Sequence, residues 1–153
     1  MDNEPELSAE IVDELKTLYG LVRSNIIKDK HLMPVAFISS PKGMVIMGMP
    51  WRNDADKIAM LDSLKSALLQ LKADMVVVAT EAWMVICPVD TEFVRAAEHP
   101  ERKEVVIMLV QVKDVKGAWQ IFAPISRDGD ALSTPEKMPK PEFSNAIGNM
   151  IVW

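Results

Sequence analysis

The sequence predicts an α+β domain: a single five-stranded sheet, mixed but mostly antiparallel, with two long helices packed on a face. The element order is helix, strand, strand, helix, strand, strand, strand. Three observations carry that prediction. Two segments repeat apolar residues at helical spacing. Short runs of Val, Ile and Met lie between and after them, punctuated by Ser40-Pro41-Lys42-Gly43 and Asp114-Val115-Lys116-Gly117. The last three runs follow one another with no long helix between, which favours an antiparallel meander. The helix joining strands two and three makes a right-handed crossover where those strands lie parallel in one sheet.

The first helix rests on "EPELSAEIVDELKTLYGLVRSNIIKD", where Leu7, Ile11, Leu15, Leu18 and Val22 form one stripe. Acids lie near its start and Lys28 and Lys30 near its end, as the helix dipole favours. Asn3 with Glu6 resembles a capping pair, and Pro5 is tolerated in a first turn. Next, Val35–Ser39 and Met44–Met49 flank Pro41-Lys42-Gly43, a hairpin signal: proline presets the backbone of the turn and glycine permits a positive φ. Pro50 ends the second strand. In "NDADKIAMLDSLKSALLQLKAD", Asn53 or Asp54 caps a second helix whose buried stripe is Ile58, Leu61, Leu64, Leu68 and Leu71. Met75–Ile86 and Glu104–Lys113 read as strands covered on both faces. "AWQIFAPI" is a further strand with Trp119, Ile121, Ala123 and Ile125 on one face.

Residues 1–127 are thus expected as one α+β domain, and residues 128–153 as a proline-rich C-terminal loop or mobile arm. A short terminal helix or strand would dock by Phe143, Ile147, Ile151 and Trp153.

At 153 residues the chain can bury roughly 70% of the surface its unfolded form exposes. Its net charge of −5 and scattered basic residues argue against a nucleic-acid surface. The single cysteine, Cys87, excludes an intrachain disulfide and suits a reducing compartment. The acidic start "MDNEPELSAE" is not a secretory signal or transit peptide. No apolar run approaches the roughly 20 residues of a membrane span. A soluble, cytoplasmic protein is expected.

The chemistry-bearing residues cluster around "TEAWMVICPVDTEFVRAAEHPERKEVV". Glu81 sits within an otherwise buried strand, where an ionised carboxylate is costly without a partner. It can be pinned by Arg95 or Arg102, stand at an exposed edge, or act as an acid or metal ligand. The long connection Cys87–Lys103 suits either function or a short covering helix, with Asp90 or Thr91 as cap and Phe93, Val94 and Ala97 inward. His99 before Pro100 is held extended and is a ligand or general base on one reading, a loop-pinning histidine on the other. Two histidines and one cysteine lack the paired spacing of zinc sites. Asp90 followed by Gln111-Val112-Lys113 is loosely similar to the Asp…(Glu/Gln)-x-Lys pattern of restriction-endonuclease-like folds, where the acids hold Mg²⁺ and the lysine polarises a phosphate. The bland reading is the solvated end of a strand. There is no phosphate-binding glycine loop and no serine nucleophile elbow, and Cys87 reads as buried and inert. No cofactor or metal is implied. Met33, Met44, Met47 and Met49 crowd the hairpin and, with Trp51, make it the preferred place for an apolar patch that another chain covers.

The run "EAWM…EHPERKEVVIMLVQ…APISRDG", about Ala79 to Gly129, resembles a family of small uncharacterised proteins of bacteria and their phages. Its pattern is a Glu-Ala-Trp strand, a His-Pro-x-Arg-x-Glu strand entry and a Pro-Ile-x-Arg strand exit. No activity comes with the resemblance. It implies that Glu81, Trp83, Pro100, Arg102, Glu104 and Arg127 are the positions to follow. Two carboxylates and two guanidiniums balance, which favours a structural network.

The leading expectation is a non-enzymatic accessory protein that binds another protein, or itself, through the hairpin or outer sheet edge. Its binding residues are Met44, Met47, Met49, Trp51, Trp83 and Arg127. The alternative is a divalent-metal-dependent hydrolase or nuclease using Glu81, Asp90, His99, Arg102 or Glu104.

Overall fold

A computed structural model describes residues 4–85 and 98–145 of the chain. Its elements in chain order are α1 (Ala9–Asp29), β1 (Val35–Ser40), β2 (Gly43–Gly48), α2 (Asp54–Leu71), β3 (Met75–Met84) and β4 (Lys103–Val112). β5 (Ala118–Pro124), β6 (Ser126–Asp128), β7 (Ala131–Ser133) and β8 (Glu142–Ser144) follow. The class is α+β, as predicted.

The helix boundaries follow local chemistry. Ser8 caps α1, its hydroxyl accepting from the Ile11 N–H at 3.2 Å. Asn3 of the expected Asn3/Glu6 pair lies outside the described residues; with Ser8 as cap the helix starts at Ala9. At the other end Lys30 adopts the left-handed conformation, and its N–H donates to the Ile26 carbonyl at 2.9 Å. Asn53 caps α2 by accepting from the Asp56 N–H at 2.8 Å.

Among the described residues the main sheet has six strands, in the order β2-β1-β3-β4-β5-β8, and β6 and β7 form a separate two-stranded ribbon. The sequence reading expected five. The added strand is β8, whose Phe143, expected to dock from a short terminal helix or strand, pairs with Trp119. Every pairing is antiparallel. β2 and β3 do run parallel to each other, because both oppose β1, but β1 lies between them. The α2 crossover therefore steps over one strand.

The helices do not share a face. Alternation along β3 sends Met75, Val77 and Ala79 to the α1 side and Val76 and Val78 to the α2 side. The α1 side also takes Phe37, Val106, Met108, Val110, Trp119, Ile121 and Ala123, packed on Leu15, Leu18, Tyr19, Val22 and Ile26. α2 covers β1 and β3, through Leu64 and Leu68 against Ala36, Ile38, Val76 and Val78, with Met47 of β2 packed at the margin. Each fully buried leucine contributes about 1.5–3 kcal/mol. Because α2 meets so narrow a strip, its predicted stripe is only partly buried, and Ile58 is 61% exposed.

The segment after Arg127 is packed against the domain as far as it is described. Leu132 is buried with the α1 side, Tyr19 donates its hydroxyl to the Pro135 carbonyl, and Arg23 Nε donates to the Thr134 carbonyl at 3.3 Å. At Gly117, φ is +106°, and a Cβ would lie 2.7 Å from the Phe143 ring and 2.9 Å from the Ser144 carbonyl. Only glycine lets β8 approach there.

Candidate functional site

Two places gather the residues singled out by sequence. The first is the end of the sheet where β3 leaves the cover of α1. Residues 75–79 of β3 are buried, whereas 80–84 are half-buried or exposed. Glu81 therefore stands where the core runs out, not inside it. The β3–β4 register sets Trp83 opposite Glu104 and Glu81 opposite Val106. Alternation places Glu81, Trp83, Arg102 and Glu104 on the α1 side.

Arg127, at the start of the β6–β7 ribbon, closes this group. Its Nε donates to both Glu104 oxygens, at 2.9 and 3.1 Å, and its Nη1 donates to the Lys30 carbonyl at 3.1 Å. A cation on the last carbonyls of α1 is favoured by the helix dipole. The Glu104 carbonyl accepts from the Ile125 N–H at 3.0 Å, which fixes the corner between β5 and β6. Glu81 accepts from the Leu32 N–H. The bond to Glu104, and then the charges of Glu104 and Glu81, raise the Arg127 pKa despite an opposing effect of burial. A raised basic pKa means that the stabilisation is full below the ordinary arginine range and fades only as pH rises through the raised value. Arg127 therefore stays charged wherever the fold is studied.

Arg102 is held differently. Its guanidinium lies over the Trp83 ring, 4.9 Å from the centroid, and its Nη1 donates to the His99 carbonyl at 3.1 Å. His99 Nδ1 accepts from the Glu101 N–H at 3.0 Å, so that nitrogen is engaged in shaping the strand entry. Asp90, Cys87, Arg95 and the expected covering turn lie outside the described residues. Among the described residues no group of three or more His, Cys, Asp or Glu side chains is placed to hold a metal. Gln111, expected at a solvated strand end, is buried because Met75 and Val76 lie across from that part of β4.

The second place is the β1–β2 hairpin. Ser40 ties the turn by donating to the Gly43 carbonyl at 2.9 Å and accepting from the Lys42 N–H at 3.3 Å, and Gly43 takes a φ of +123°. β2 is an outer strand of the sheet, with no neighbour beyond it among the described residues. Met44, Val45 and Ile46 are exposed, Ile46 at 60%, and Met47 is half-buried. Met49, expected to join them in a binding patch, is instead fully buried beneath α2. It lies past the strand, where the chain turns in toward the helix. Trp51 is half-buried and carries Lys57 Nζ 5.6 Å from its ring centroid. Beside it opens a groove of about 380 Å³, lined by Met33, Pro34, Pro50, Trp51, Asp56 and Met60 among others.

Sequence reasoning overlooked Val45 and Ile46. The available signal was "GMVIMG" itself: a strand apolar at both parities with a proline two residues beyond its end suits an outer position, yet it lacks the charge that outer strands usually carry.

Residues 2–151 match the family described as bacteriophage lambda protein ea47. No curated protein and no solved structure matches the chain.

Proposed function

We propose that this chain, which belongs to the bacteriophage lambda protein ea47 family, is a non-enzymatic phage accessory protein that works in the host cytoplasm by binding protein through its β1–β2 hairpin. The observation that carries the reading is β2: an outer strand, uncharged and apolar on both faces, beside a groove lined by Met33, Trp51 and Met60. Outer strands left in this state pair with other chains, because their unpaired backbone groups and apolar side chains gain by it. The groups at the other end of the sheet support a structural role there. Glu104 is engaged by Arg127 and Glu81 by the Leu32 N–H, an arrangement suited to pinning α1, β4 and β6 together. The Glu-Ala-Trp, His-Pro-x-Arg-x-Glu and Pro-Ile-x-Arg pattern is, on this reading, the sequence mark of that clamp.

Photo-crosslinking tests the proposal. A photoreactive residue placed at Ile46 of the full chain in bacterial cells should give discrete adducts, whereas one at Asp114 should not. If Ile46 yields no discrete adduct, with this chain or any other, the hairpin is not the interaction surface.

A further inference from the structure

We infer that residues 146–153, the stretch that follows β8, lie across the α2 side of β5 and β4 and cover the part of the sheet that α2 leaves open. The inference stands apart from the reading of β2 as an interaction surface.

Two apolar residues among those described are buried yet belong to neither core: Val105, 1% exposed, and Ala118, 0% exposed. Both face the α2 side, since their neighbours Val106 and Trp119 pack on the α1 side. The α2-side core takes in no residue of β4 or β5, so α2 does not close this area. Neighbours within a sheet shield the flanks of a side chain, and an overlying group is needed to remove the rest of its surface. Around Ala118 the same face carries Gln111, 1% exposed, and the half-buried Leu109, Gln120 and Phe122.

The path of the chain selects the occupant. Phe143 packs on the α1 side against Trp119, with ring centroids 5.0 Å apart, and Ser144 pairs with Ala118, so residues 146–153 set out from the flank of this area. They read "AIGNMIVW", in which Ile147, Met150, Ile151, Val152 and Trp153 are apolar and no side chain is charged. Crossing from β8 over β5 to β4 takes two strand spacings, about 10 Å. A stretch of this length covers about 12 Å as a helix and about 26 Å extended, so either form reaches Gln111. The other stretch outside the described residues, 86–97, departs from the opposite end of the sheet, where Met84 pairs with Lys103. Val105 lies close to that end, whereas Gln111 is about 27 Å along the strand from it. While residues 146–153 are in place, Leu109 and Phe122 are closed to any partner.

Crosslinking within the purified full chain tests the inference. A photoreactive residue at Leu109 or at Gln120 should give an intrachain adduct that peptide mapping places in residues 146–153. One at Ile46 should give none there. Joint Ile147→Asp and Ile151→Asp substitution should abolish the adduct, because a carboxylate without a partner is costly to bury and releases the stretch. The same variant should bind more of a hydrophobic dye than wild type, with an unchanged far-UV spectrum apart from the released stretch. Adducts from Leu109 and Gln120 that map to residues 86–97 or to a second chain overturn the inference. So does the lack of any adduct from both positions, or an adduct that survives the joint substitution at full yield.

Discussion

On one face of the sheet α1 lies across β1, β3, β4 and β5, and the β6–β7 ribbon adds Leu132 to the same core. On the other face α2 lies over β1 and β3, with Met47 of β2 at the margin, and Ile107, Leu109 and Phe122 of β4 and β5 stay half-buried. Both helices are long and both sheet faces are apolar, so composition does not separate them. Breadth of cover does. The α1 side holds the fold, and the thinner α2 side lies next to the open strand where the interaction is proposed. On the proposed reading, stability rests at the centre of the sheet and recognition at its outer strand β2, whose Ile46 faces the α1 side beyond the cover of the helix.

Six substitutions probe this contrast, all read by urea unfolding with the slope held as a check on the reference state. Leu15→Ala, at the centre of the α1 side, should cost the most, about 4 kcal/mol. Leu64→Ala, equally buried beneath α2, should cost about 3 kcal/mol, because a shallow layer collapses more readily around a cavity. A greater loss at Leu64 than at Leu15 would reverse the comparison. Glu104→Gln should cost about 1 kcal/mol, a modest figure because the pair with Arg127 is partly open to water. Mn²⁺ should stabilise neither wild type nor this variant nor Glu81→Gln. A metal-dependent gain in wild type alone would reassign the clamp as a metal site. Tyr19→Phe, which frees the Pro135 carbonyl and Thr134, should also cost about 1 kcal/mol and measures how firmly the tail is held. Ile58→Ala should change stability by less than about 0.5 kcal/mol, since α2 turns this residue to solvent.

Much of the local structure was legible in the sequence, because periodicity and turn chemistry are local properties. The apolar stripe of α1, the Ser40–Gly43 turn, the Asn53 cap and the one-sided face of β5 each appear close to where pattern alone put them. What was not legible depends on neighbours distant in the chain. Ile58 fits a helical stripe as well as Leu64 does, and only the narrow strip beneath α2 exposes it. The prolines of the last segment suggested an arm, whereas Tyr19 and Gly117, each far away in sequence, create the surface that holds it. The grouping of Glu81 and Glu104 with Arg127 could be anticipated from strand order. The role of the Lys30 carbonyl could not, since backbone acceptors leave no mark on composition.

The close approach at Gly117 has a consequence for the number of chains that can meet. β8 is itself the outer strand on that side and pairs with only Ala118–Gln120 of β5, so the far edge of the sheet ends in a three-residue strand. Gly117→Ala would push β8 away and bare the backbone of β5 at the opposite edge. A sheet open at both edges has two valences rather than one, and repeated edge pairing then has no closing step. A single missing methyl group therefore keeps that edge short, the state in which outer strands resist pairing with other chains.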